Sequence, residues 1–224
     1  EKGNSNAMNN YAYMLEKGEG VAVNYEEAIK YYKMAIEKGN SNAMNNYACM
    51  LYKREGVAVN YEEAIKYIKM AIEEGDPVAM YNYAYMLEKC GGVAVNYEEV
   101  IKYYKMAIEK GNSNAMNNYA YMLEKGEGVA VNYEEAIKYY KMAIEKGNSN
   151  AMNNYACMLY KREGVAVNYE EAIKYIKMAI EEGDPVAMYN YAYMLEKCGG
   201  VAVNYEEVIK YYKMAIEKGN SSAM

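Results

Sequence analysis

Few residues in this sequence have the types and spacing to do chemistry. Glu26 and Glu27 are adjacent carboxylates that recur as Glu62/Glu63 and Glu98/Glu99, a pairing that can divide acid and base roles across one bond. The stretch GEGV, residues 18–21, has the glycine content to bend around a phosphate, but no Lys-Ser/Thr follows it and no strand precedes it. Cys49, Cys90, Cys157 and Cys198 stand in a chain with no histidine, which excludes the usual mixed Cys/His zinc sites. No nucleophile–base pair, metal cluster or cofactor motif emerges, so the expectation is a non-enzyme without a cofactor.

The element that places these groups is a repeat. EKGNSNAMNNYAYMLEKGEGVAVNYEEAIKYYKMAI runs from Glu1 to Ile36, and close variants follow at 37–72 and 73–108. From Glu109 the same three units return unchanged as 109–144, 145–180 and 181–216, and the chain closes on EKGNSSAM, a partial seventh at 217–224. The expectation is a single solenoid over 1–224, built as two identical 108-residue cassettes.

Each unit reads as a helical hairpin. Ala7, Met8, Tyr11, Ala12, Met14 and Leu15 follow the spacing of one helix face, which turns Asn6, Asn9, Tyr13, Glu16 and Lys17 away from it. This first helix, A, is capped by Asn4 and Ser5, or by Asp76 before Pro77 in the third unit, and ends at Gly18 and Gly20. Asn24 with Glu27 opens helix B, whose stripe is Tyr25, Ala28, Ile29, Tyr32, Ala35 and Ile36 and whose stop is Gly39. The paired carboxylates therefore fall in a first turn, where the helix dipole favours negative charge. A lone hairpin has no core, so neighbours must stack. Ala12, Ala28 and Ala35 are the expected close approaches, with Met8, Met14 and Met34 as packing residues. Tyr11, Leu15, Ile29 and Tyr32 should be buried in interior units, and alanine at Leu123 should cost far more than alanine at Glu124. Cys49 and Cys90 sit five positions apart on helices about 10 Å apart, too far to bridge, so thiols are expected there and at Cys157 and Cys198.

The spacing A-x3-Y-A-x2-L-x2-G-x-G-V-x2-N-x3-A-x2-Y-Y-x2-A-x3-G, from Ala7 to Gly39, recurs along the chain and resembles the Sel-one-like repeat, a relative of the tetratricopeptide repeat. The resemblance implies an all-α fold: a right-handed superhelical solenoid of antiparallel helix pairs, helix A lining a concave surface, used as an adaptor or scaffold for proteins and peptides. Tyr11 stands where that family has an aliphatic residue, Ala12 where it has glycine and Asn24 where it has aspartate. The loop glycine Gly18 becomes Arg54 and Cys90 in the next units, and a positive φ at that place would strain Arg54 or shift the turn to Gly56 or Gly91.

Differences among the units cluster on the outward side of helix A. If that side is concave, the partner-binding candidates are Asn6, Asn9, Tyr13, Asn42, Asn45, Tyr52, Arg54, Tyr81, Tyr85 and Glu88, with Tyr121, Tyr160, Arg162, Tyr189 and Tyr193 in the second cassette. The alternative is drift at unconstrained surface positions.

Composition narrows the partners. Asp and Glu number 31 against 25 Lys and Arg, with the signs interleaved, so no basic stripe exists for nucleic acid. No apolar run reaches membrane-span length, and low cysteine usage suits a cytoplasmic or cytoskeleton-associated setting. All 30 aromatic residues are tyrosine, and each buried ring needs a partner for its hydroxyl. Two readings of function follow. One is an interaction scaffold holding a protein or extended peptide along helix A. The other is a structural part of a filament or periodic assembly, which the identical cassettes favour. On that second reading the 224 residues are a window on a longer array, whose ends expose apolar patches and associate head-to-tail in an open chain.

Overall fold

In a computed structural model, residues 3–53, 59–89, 95–161, 168–197 and 203–220 are described, and twelve α-helices form among them. They fall into two compact units, Glu1–Asn112 and Ser113–Met224. In the first, α1 (Ser5–Lys17), α3 (Ser41–Lys53) and α5 (Pro77–Lys89) are the A helices, paired with the B helices α2 (Tyr25–Ile36), α4 (Tyr61–Glu73) and α6 (Tyr97–Glu109). The second repeats the order with A helices α7 (Ser113–Lys125), α9 (Ser149–Lys161) and α11 (Pro185–Lys197), and B helices α8 (Tyr133–Glu145), α10 (Tyr169–Glu181) and α12 (Tyr205–Glu217). Within a unit each B helix packs on its own A helix and on the next one, and successive A helices touch. The fold is an all-α solenoid of antiparallel helix pairs.

The ends of the helices follow from their capping residues. Asn4 Oδ1 accepts from the Asn6 and Ala7 amides at 3.0 and 3.3 Å, and Asp76 Oδ1 accepts from Val78 and Ala79 at 2.8 and 3.2 Å. Asn24 Oδ1 takes the Glu27 amide at 3.1 Å while its own amide donates to Glu27 Oε2 at 3.4 Å. The paired carboxylates are thus cap residues in an exposed first turn. Gly18 adopts φ 73°, and a Cβ there would stand 2.9 Å from Val23 Cγ2. Arg54, Gly56, Cys90 and Gly91, which the loop argument concerned, lie outside the described residues.

Ala12, Ala28, Tyr32 and Ala35 are fully buried, consistent with close helix approach at the alanines. Tyr47 and Tyr83 are buried where Tyr11 is exposed, because α2 covers α3 and α4 covers α5. Met14 follows the same rule, exposed on α1 while Met50 and Met86 are buried. Three expectations need correction. The Ile29 position is only half-buried in Ile65 and Ile101, since the buried stripe of helix B runs through residues 28, 32 and 35 and leaves Ile29 at its edge. Leu87 is half-buried as well. Asn9 and Glu16 lie on the same side of helix A as Tyr13 and Lys17 but are not surface residues: they are 8% and 6% exposed. Neither Cys49 nor Cys157 is in a disulfide among the described residues; Cys90 and Cys198 lie outside them.

Candidate partner-binding groove

Three A helices of the first unit enclose an open groove of about 470 Å³. Tyr13, Glu16 and Lys17 come from α1, Asn45, Asn46, Cys49, Tyr52 and Lys53 from α3, and Val78, Tyr81, Asn82, Tyr85 and Met86 from α5. Because the helical period is 3.6 residues, positions 9, 13, 16 and 17 of a repeat recur on one side of helix A. Stacking A helix on A helix then turns those sides into a continuous wall.

The floor is a chain of asparagine amides. Asn82 Nδ2 donates to Asn45 Oδ1 at 2.9 Å, Asn45 to Asn46 at 3.4 Å, Asn46 to Asn9 at 3.0 Å and Asn9 to Asn10 at 3.2 Å. Both bonds that cross between helices donate toward α1, tying α5 to α3 and α3 to α1. The second unit contains its own copy, in which Asn190 donates to Asn153, Asn153 to Asn154, Asn154 to Asn117 and Asn117 to Asn118 over 2.8, 3.4, 3.0 and 3.1 Å. Asn82 Nδ2 also points to Cys49 Sγ at 3.4 Å.

Below the rim, the hydroxyls of the buried tyrosines find glutamates. Tyr32 Oη donates to Glu16 Oε2 at 2.6 Å, and Glu16 Oε1 pairs with Lys17 at 2.7 Å. Tyr104 donates to Glu88 at 2.7 Å and Tyr140 to Glu124 at 2.7 Å. Burial first, then the hydrogen bond to Glu16, raises the Tyr32 phenol above its ordinary range; burial and the charge of Glu124 do the same to Tyr140. A second set works the other way, from helix A to the next helix B: Tyr83 donates to Glu99 at 3.3 Å and Tyr191 to Glu207 at 3.4 Å. Burial followed by the Glu63 charge pushes Tyr47 up to about 12.

The structure thus brings Tyr13, Asn45, Tyr52, Tyr81 and Tyr85 together around the groove, with Tyr13 and Tyr85 about two-fifths exposed. Asn9 belongs to the floor. Asn6 is a junction residue whose Oδ1 accepts from Asn40 at 2.8 Å, and Asn42 is exposed at the start of α3. Glu88 is occupied by Tyr104 and Lys89. In the second unit Tyr121 and Tyr193 are exposed, while Tyr160 packs edge-on against Tyr169 and Tyr189 lies against Tyr212. Arg54 and Arg162 lie outside the described residues.

Sequence reasoning missed Asn46, Asn82 and the Glu–Tyr pairs. A signal for the pairs was present: where Glu16 and Glu88 become Tyr52, Tyr32 and Tyr104 become Ile68, a paired exchange that contact explains. Glu124, which the expected ranking against Leu123 treats as an outward-facing residue, is buried against Tyr140. Among the described residues no group of three or more metal-ligating side chains forms.

Six consecutive segments, residues 5–40, 41–76, 77–112, 113–148, 149–184 and 185–220, match the Sel1 repeat. A Sel1 repeat protein from Oxalobacter formigenes is 29% identical over 96% of this chain and 88% of its own, with a TM-score of 0.83. A protective antigen of uropathogenic Escherichia coli strains, displaying an SLR fold, is 26% identical with a TM-score of 0.71 over 99% of this chain and 48% of that one. An immunity protein from Pseudomonas aeruginosa shares the fold at 20% identity and a TM-score of 0.72, covering 98% of this chain and 83% of its own. Among curated proteins none matches significantly.

Proposed function

Because this chain belongs to the Sel1 repeat family, whose fold generally serves as a protein-interaction scaffold, we propose that each unit holds an extended segment of another protein along its A helices, without catalysing a reaction. The groove between α1, α3 and α5 carries this reading. Rings of Tyr13, Tyr52, Tyr81 and Tyr85 offer rigid, amphipathic contact, and the amide floor offers donors and acceptors suited to a polypeptide main chain. Among the described residues no helix is long and apolar enough to cross a membrane, and the proposed setting is cytoplasmic or cytoskeleton-associated.

The test is site-specific photocrosslinking in extract of the native source, with benzoylphenylalanine at Tyr85 in the groove or at exposed Lys66 on α4. Partners caught from Tyr85 and absent from Lys66 support the reading. Equal capture from both, or capture from Lys66 alone, ends it.

The identity of residues 1–108 with 109–216 favours a second reading, a structural array laid along a periodic partner or assembled into filaments, because one unique ligand has little use for two copies of its site. Electron microscopy across a concentration series checks it. Filaments support it, and discrete particles at every concentration count against it.

A further inference from the structure

Each A helix of the first unit carries a lysine in its last turn, Lys17, Lys53 and Lys89, and the first two line the groove. The outer two are neutralised by the residue before them, Lys17 on Glu16 at 2.7 Å and Lys89 on Glu88. In the middle helix that preceding residue is Tyr52, whose ring turns edge-on to Tyr61 at 5.7 Å. No described residue forms an ion pair with Lys53, although it lines the groove. The helix C-terminus beneath it supplies only about half a negative charge. The same substitution recurs in the second unit, where Tyr160 precedes Lys161. Among the described residues, the middle A helix of each unit therefore ends in a lysine without an ion pair, between A helices whose last-turn lysines have one.

The floor adds a second preference. Asn82 Nδ2 is committed to Asn45 and Cys49, while its Oδ1 accepts no hydrogen bond from a described residue, leaving an acceptor for a main-chain N–H. Three adjacent helix axes at about 8–10 Å spacing span about 20 Å, or roughly six extended residues. Walls from α1 and α5 flank Lys53 on both sides, so a chain crossing it continues in both directions. An anionic group at that point belongs to a side chain within the segment rather than to a chain terminus.

Building on the peptide-holding reading, we infer that each unit binds an extended segment with an Asp or Glu side chain at the residue crossing the middle A helix, and that Lys53 in the first unit and Lys161 in the second are its counter-charges. Two equal sites per chain follow from the identical cassettes. Because the ammonium groups are exposed, the acidic preference weakens as ionic strength rises.

The probes are N-acetylated, C-amidated fluorescent decapeptide pools with Asp, Glu, Asn, Gln or Lys fixed at the fifth position and uncharged residues randomised elsewhere. They are titrated against the full chain at low salt. The expected result is binding of the Asp and Glu pools at least tenfold tighter than the Asn and Gln pools, at two peptides per chain. In the double variant Lys53→Gln/Lys161→Gln that preference disappears, the Asp and Glu pools binding no tighter than the Asn and Gln pools do to the same variant. Equal binding of all pools, or an acidic preference that survives the double variant, overturns the charge inference and leaves the groove reading standing. Binding by no pool overturns both.

Discussion

Within one unit, the middle repeat and its two neighbours solve the same packing problem with different chemistry. In the first and third repeats a tyrosine of helix B buries its ring and gives its hydroxyl to a glutamate of helix A, Tyr32 to Glu16 and Tyr104 to Glu88. In the middle repeat the places are held by Ile68, fully buried, and Tyr52, packed on Tyr61. The polar pair must be complete, since a buried hydroxyl or carboxylate without its partner is costly. The apolar pair has no such condition. The exchange also changes the surface: removing the glutamate leaves Lys53 without the counter-ion that Lys17 and Lys89 possess. One substitution inside the wall thereby sets the charge of the groove.

The comparison breaks or holds most clearly by transplanting the pair. Tyr32→Ile alone removes ring volume and leaves Glu16 without its hydroxyl donor, and is expected to cost about 3 kcal/mol. Adding Glu16→Tyr installs the middle repeat's solution in the first and should recover stability to within about 1 kcal/mol of the parent. Urea melts of the two single variants and the double form the cycle. Additive losses would show that the two positions do not act as a pair.

Next in size is Glu124→Ala, which strands the Tyr140 hydroxyl, buried and bonded at 2.7 Å. It should lower stability by about 2 kcal/mol, comparable to the loss from Leu123→Ala. If only Leu123→Ala destabilises, the carboxylate contributes nothing and the earlier ranking stands.

The sign of the pH effect sharpens the same contrast. Tyr32→Phe removes the hydroxyl but keeps the ring, at an expected cost of about 1.5 kcal/mol near neutrality. Burial and Glu16 raise the Tyr32 pKa in the folded state, so the unfolded chain loses this proton first as pH passes about 10. The stability tied to the hydroxyl is fully present below that pH and declines above it. The gap between parent and Tyr32→Phe should therefore narrow from pH 10 upward. Tyr47, pushed up to about 12, adds to the alkaline loss in both proteins and leaves the difference untouched. A gap that widens with pH would contradict the assignment.

Helix identity, caps and period were legible because they rest on local chemistry. Asn24 with Glu27, Asp76 before Pro77 and the alanines at 12, 28 and 35 act within one hairpin or between neighbours. Glu16 and Asn9 were expected to be exposed because a helical wheel assigns polarity by residue type, whereas burial here depends on partners 16 and 37 positions away. Asn46 and Asn82 were missed for a related reason. Neither varies in type among the three units, and only the stacking of α1, α3 and α5 turns their amides into a floor.

The smallest expected effect tests whether the middle lysine is truly uncompensated. Lys17 holds a carboxylate that is 6% exposed, so Lys17→Gln removes a partner from a desolvated charge and also a cation from a helix C-terminus. A loss of about 1–2 kcal/mol is expected. Lys53→Gln removes only a cation at a helix end, worth at most about 0.5 kcal/mol at an exposed position. Raising salt should shrink the Lys53 effect further, because exposed charges are screened, and should leave most of the Lys17 effect, because its partner is buried. Paired urea melts at low and high ionic strength resolve the two. Equal losses at both salts would mean that Lys53 has a structural partner after all, and the middle repeat would lose its distinction from its neighbours.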